Sequence, residues 1–167
     1  MNIKRISLMT AIFLTVALVS SAVEAGVIRI NGTIAGSESY APFPNPAEGF
    51  YVNASVTSAD TALGPFTLFY SLIVDFAFGG TPLGAPGASL LVVGDAANGD
   101  SILTYFLGRN SGFCDNGDLH VVDPFTIIGG TGRYAGAKGS FTTDQCINLG
   151  TGETSGTISG TIVVRGP

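Results

Sequence analysis

The chain has 167 residues, 46% of them hydrophobic, with 24 glycines, no tryptophan and a formal charge of −5. Low charge beside 11 Phe and 5 Tyr excludes a disordered chain. The glycine load points to sheet and tight turns, because glycine costs about 1 kcal/mol inside a helix, and the acidic balance argues against a nucleic-acid partner.

The N-terminus carries Lys4 and Arg5, then an apolar run from Ile6 to Val19, then small residues ending Val23-Glu24-Ala25. That three-part order is a secretory signal peptide, residues 1–25. The alternative, a membrane anchor, wants about 20 apolar residues, more than this run supplies. The expected mature domain is 26–167, with five cations against eleven carboxylates, a net charge of −6. The expected compartment is secreted or periplasmic, with no membrane contact after the signal is removed.

Strand signals then recur in chain order. Val27–Gly36 and Phe50–Thr57 alternate apolar and polar residues with a period of two, the mark of a strand with one buried face. Between them, Ala41-Pro-Phe-Pro-Asn-Pro46 is a proline-broken loop. Phe66–Phe78 is apolar on its even face and still places Phe69 and Ile73 on the odd one. Both faces should therefore be partly covered, the second by the chain's own segments or by another subunit. Ala88–Gly94, Asp100–Gly108, Leu119–Ile128, Tyr134–Thr143 and Thr154–Arg165 complete about eight strands joined by Gly, Asn, Asp and Pro turns. Pro124 should break or bulge its strand, or put that part on an edge. This is an all-β pattern, a sandwich or an up-and-down barrel.

Cys114 and Cys146 both lie in the exported part. With a single His120 they cannot make a four-ligand zinc site, so a disulfide is expected, the alternative being a reactive thiol. The segment Gly130-Thr-Gly132-Arg-Tyr-Ala-Gly136 matches a dinucleotide-binding loop superficially. Such a loop must open a helix. The residues after Gly136 are strand-like instead, so Gly129, Gly130, Gly132 and Gly136 are read as a tight structural turn. Gly136 and Gly139 would mark bulges or a bend in the next strand.

The run Ile128-Gly-Gly-Thr-Gly-Arg-Tyr-Ala-Gly-Ala-Lys-Gly139 resembles the GGTGxFxxAxG signature of the allene oxide cyclase-like and dirigent-like barrels, with Tyr134 in place of Phe. The final strand, Ser155–Ile162, fits their closing strand. The resemblance implies one eight-stranded antiparallel β-barrel and, from the characterised plant members, a trimer. Those members guide reactive intermediates in an apolar lumen. The matching residues are the structural turn, so no catalytic residue carries over.

Searches for chemistry agree. There is no Gly-x-Ser-x-Gly elbow, His120 reads as a surface residue, and Asp115–Asp118 lacks the spacing of a calcium loop. Asp75, beside Phe69 and Ile73, is the candidate polar group for a cavity, and these three form the candidate ligand contacts; a satisfied structural aspartate is the plainer reading. The expected function is a barrel that binds or guides a small apolar molecule without acid–base, metal or nucleotide chemistry and without a cofactor. The alternatives are a cyclase-like isomerase and a non-catalytic structural or interaction protein with a filled barrel. Binding is favoured over catalysis, and a lumen packed with side chains would favour the filled-barrel reading.

Overall fold

A computed structural model describes residues 26–58, 62–75, 83–84, 87–94, 99–107 and 110–164. The expected signal peptide, 1–25, lies outside these residues. So do the far end of the expected strand Phe66–Phe78, most of the turn after Gly94, Gly108 and Arg165.

Ten strands form one antiparallel sheet: β1 Gly26–Pro42, β2 Gly49–Ser58, β3 Phe66–Asp75, β4 Leu83–Gly84, β5 Gly87–Val93, β6 Asp100–Phe106, β7 Asn110–Phe113, β8 Leu119–Gly130, β9 Lys138–Ile147 and β10 Glu153–Val164. Eight of them close on themselves in the order β1-β2-β3-β5-β6-β8-β9-β10, because β10 pairs β1 and β2 pairs both β1 and β3. β4 hangs on the end of β3, and β7 pairs β8 beyond the point where β6 stops. Among the described residues the only helical turn is a single 3-10 turn, Gly132–Tyr134.

The period of two reads directly as inside and outside. Ile30, Ile34, Val56, Leu68, Leu91, Ile102, Ile158 and Ile162 point inward and are at most 3% exposed. Mid-barrel, Phe125 stacks between Phe106, at 4.5 Å between ring centroids, and Phe141, at 4.7 Å. Tyr70 meets Phe106 edge-on at 5.5 Å. None of these four rings is more than 3% exposed, so at this level side chains fill the barrel.

Three expectations need correction in detail, and a fourth resolves among its alternatives. β1 runs six residues past Gly36, to Pro42, so the proline loop begins at Phe43. For Pro124 the edge position holds, without a break: β8 runs through it, paired to Thr142 on β9. On its other side the β6 pairing ends at Phe106–Phe125 and the β7 pairing begins at Asn110–Val121. Pro124 falls between them, where no ladder donor is needed. The glycine segment is not a tight hairpin either. It is a longer connection that carries the 3-10 turn, and β9 begins at Lys138, not Tyr134.

That connection seals one end of the barrel. Tyr134 and Ala137 within it are buried, as is Leu63 in the β2–β3 connection. Gly132, Gly136 and Gly139 take positive φ of 51°, 71° and 130°; Gly136 lies in the turn, and Gly139 inside β9 opposite Ile162. Gly130 has ordinary φ but a different constraint: a Cβ there would stand 2.4 Å from the Ser101 carbonyl oxygen and 2.7 Å from that of Tyr134.

Candidate functional site at the barrel mouth

The opposite end is built differently. β1 continues the Ile30–Ile34 phase through Glu38 and Tyr40, which face the interior and remain part-exposed. Phe50 on β2 and Leu72 on β3 face the same mouth and are likewise half-buried. Tyr40 packs edge-on against Phe50 at 5.6 Å. β1 is anchored here by backbone, since the Glu38 amide donates to the Gly152 carbonyl at 2.7 Å.

Both carboxyl oxygens of Glu38 are engaged. The Tyr70 hydroxyl donates to Oε1 at 2.5 Å and the Tyr40 hydroxyl to Oε2 at 3.1 Å. A phenol has one proton to donate; the second acceptor near Tyr70, Gln145 Oε1, stands at 3.5 Å, so the hydrogen bond goes to Glu38. Gln145 is fully buried. Its amide donates to Thr143 Oγ1 at 2.9 Å, and its carbonyl accepts from Thr154 Oγ1 at 3.2 Å. Asp123 is also buried, one strand away on β8. Ser89 and Thr104 share a hydroxyl–hydroxyl bond on the β5–β6 side. Among the described residues no buried side-chain polar atom lacks a partner.

Desolvation sets the protonation of this cluster. Burial raises the Glu38 carboxyl above the ordinary carboxylate range, and the phenol bonds from Tyr70 and Tyr40 pull it partly back. Tyr40 and Tyr70 are both pushed up, first by burial and then by the Glu38 charge beside them. The phenols therefore stay protonated. The mouth presents an apolar rim, the part-exposed Tyr40 phenol and a carboxyl that retains its proton above the usual range, with the buried Tyr70 phenol behind it. This arrangement can hold the polar end of a guest by hydrogen bonds. Among the described residues no group of three His, Cys, Asp or Glu is placed to hold a metal.

The expected ligand contacts sit elsewhere. Phe69 and Ile73 face outward, 41% and 38% exposed, because the even phase of β3 is the inner one. Asp75 ends β3 opposite Gly49, and its side chain lies outside the described set. Phe69, Leu90 and Leu103 stand opposite one another across β3, β5 and β6. With Asn53 and Ser71 they line an open surface groove of about 470 Å³. Among the described residues Phe69 and Leu103 are left exposed on this odd face, at 41% and 43%.

Cys114 and Cys146 form the disulfide, with Cα atoms 6.1 Å apart. His120 is a surface residue and pairs with Asp144, Nε2 to Oδ1, at 2.7 Å. Gly129, Gly130, Gly132 and Gly136 lie at the sealed end, far along the barrel axis from the Glu38 cluster. Sequence reasoning passed over Glu38 and Tyr40. The signal was present, since both continue the even phase of β1 beyond Gly36.

Ring closure, an alternating interior and one sealed end define this chain as a closed eight-stranded antiparallel β-barrel. No protein-family model matches the chain, and no curated protein does. Among solved structures, the chain is similar to the pterocarpan synthase dirigent protein GePTS1, at 14% identity over 93% of this chain and 97% of that one, with a TM-score of 0.49. That likeness is too distant to carry an argument, and the barrel rests on its own strand pairings.

Proposed function

We propose that this protein is an exported binding barrel that takes a small apolar molecule at its open mouth and holds the guest's polar end on the Glu38–Tyr40–Tyr70 cluster. One observation carries the reading: a half-buried carboxyl held by two phenols sits at the end of the barrel where inward side chains remain part-exposed, in an interior otherwise largely apolar. Buried polar groups of this kind cost stability unless satisfied, and small-molecule sites are apolar concavities with a few placed polar groups. The stacked phenylalanines confine the guest to the mouth. The disulfide fits an oxidising compartment, which supports export. The outer row Phe69–Leu90–Leu103 is proposed as the surface through which copies of the chain associate.

The test uses N-phenyl-1-naphthylamine, a neutral apolar fluorophore. It should bind with a negative heat-capacity change and with little salt dependence, since an acidic chain with few cations has little steering to lose. Leu72→Trp, which narrows the mouth, should weaken binding, and His120→Ala should leave it unchanged. Absence of binding, or binding indifferent to both Leu72→Trp and Glu38→Gln, would refute the reading. Self-association is checked separately, by light scattering on the wild type and on Phe69→Glu.

The filled-barrel reading has its own observation in the Phe106–Phe125–Phe141 stack. It requires that no apolar probe bind at the mouth and that Glu38→Gln change stability alone.

A further inference from the structure

We propose that the Cys114–Cys146 disulfide is an exchange site for low-molecular-weight thiols, with His120 as the acid for the departing sulfur and Asp144 as the residue that positions His120. The observation is a juxtaposition on the outer wall. Phe113, Cys114, Asp115, His120, Asp144 and Cys146 line one surface groove of about 510 Å³. His120 on β8 is the direct cross-strand partner of Cys146 on β9, and such partners stand roughly 4.5–5.5 Å apart at Cβ. Asp144 lies two residues before Cys146, on the same face, and holds the ring through Nε2 at 2.7 Å. Neither cysteine is buried. Cys114 opens a tight turn in which its carbonyl accepts from the Gly117 amide.

This placement distinguishes the two sulfurs. Cys114 belongs to the exposed turn, between Phe113, 75% exposed, and the exposed Asp115. Cys146 belongs to a barrel strand beside His120. A thiolate therefore attacks Sγ of Cys114. A sulfur–sulfur bond forms between the thiol and Cys114, the Cys114–Cys146 bond breaks, and its electron pair departs on Cys146 Sγ. The His120 imidazolium transfers its proton to that sulfur. A second thiol then attacks the mixed disulfide at the reagent's sulfur, so the reagent leaves as its own oxidised disulfide and Cys114 as a thiolate. The protein disulfide is reduced and two thiols are oxidised. A departing sulfur of lower basicity leaves faster, and a neighbouring imidazolium lowers the basicity of a cysteine sulfur.

Two sets of measurements on the full oxidised protein test this. Native protein is mixed with dithiothreitol, quenched by alkylation and weighed by mass spectrometry. The exchange rate should rise linearly with reagent and exceed the global opening rate given by hydrogen exchange. Corrected for ionisation of the reagent, the rate should fall as His120 loses its proton. Among the described residues, the charged groups that share the groove with that histidine are Asp144 on β9 and Asp115 on the β7–β8 turn. His120→Ala should slow exchange about tenfold at neutral pH and flatten that profile. Asp144→Asn should act in the same direction, more weakly. His120→Gln, which keeps volume and a donor toward Asp144, provides the folded control and should also be slow and flat. A rate that saturates at the global opening rate, or a His120→Gln protein as fast as wild type with an unchanged pH profile, would overturn the proposal.

Discussion

Replacing three neighbouring glycines by alanine, one at a time, separates the two reasons a turn can demand glycine. Gly129, Gly130 and Gly132 lie within four residues, yet their surroundings differ. At Gly129 a Cβ meets nothing within 4 Å and φ is not positive, so Gly129→Ala should be neutral or slightly stabilising through the unfolded chain. Gly132 has φ of 51°, and its Cβ would fall on the Asp100 carboxylate. That carboxylate is the end of an exposed side chain and can swing aside, losing its 2.8 Å contact with Arg133. A solvent-facing pair of this kind adds little, and the left-handed backbone costs roughly 1–2 kcal/mol, so Gly132→Ala should cost about 1–2 kcal/mol. At Gly130 the obstacles are backbone: the Ser101 carbonyl at 2.4 Å and the Tyr134 carbonyl at 2.7 Å. Relief means moving β8 from β6 or lifting the buried Tyr134. Overpacking costs roughly 1–3 kcal/mol, and the Thr131 amide bond to the same Ser101 carbonyl, 2.8 Å, is worth about 1 kcal/mol more. Gly130→Ala should therefore cost about 2–4 kcal/mol, the largest of the three. Urea unfolding of the oxidised proteins, with equal m-values, measures the order. A Gly130→Ala midpoint equal to that of Gly129→Ala would refute the close-approach argument.

Three other perturbations probe other layers. Phe125→Ala removes the middle ring of the stack and should cost about 3–5 kcal/mol by urea unfolding, with Phe125→Leu well below that. The paired change Cys114→Ser and Cys146→Ser opens a loop of 32-residue separation and should cost about 3.7 kcal/mol in the chain-entropy model, read from the same curves. Glu38 has a folded pKa raised above its unfolded 4.5, so the stability linked to its proton is fully present below that unfolded value and is lost as pH rises through the folded one. Glu38→Gln should flatten this loss between mildly acidic and neutral pH, and a wild-type protein whose stability rises over that window in proportion to the variant's would contradict the assignment.

Much of the barrel was legible because strands with one buried face must alternate. Val27–Gly36 and Phe50–Thr57 show that alternation, and both align with β1 and β2. The even phase of Phe66–Asp75 is the inner one, as its richer apolar content implies. The disulfide was legible from compartment and number alone. Strand ends were less so, for physical reasons. Pro42 closes β1 because its φ suits a strand end, so the proline cluster did not stop the strand where the first proline stands. Pro124 left a break, a bulge or an edge position open, because a central strand needs donors on both sides. Nothing in the residue order shows that its neighbour is interrupted there.

The mouth was hidden by the same rule that revealed the walls. Reading a polar run as the end of a strand ends β1 at Ser37-Glu38-Ser39, where the inner phase in fact continues through Glu38 to Tyr40. A glutamate inside a barrel is stable only if partners reach it, and its partners come from elsewhere in the chain. Tyr70 is 32 residues on, and the Gln145 that borders Tyr70 is 75 further. No local window contains that information; barrel closure creates it. Asp75, by contrast, stood out locally because it is acidic in an apolar strand. For this architecture, the informative polar residue is one that keeps the inner phase after the apolar pattern has ended. At the mouth an inward polar side chain can be satisfied by strands distant in sequence, as Glu38 is by Tyr70, and still keep part of its surface exposed.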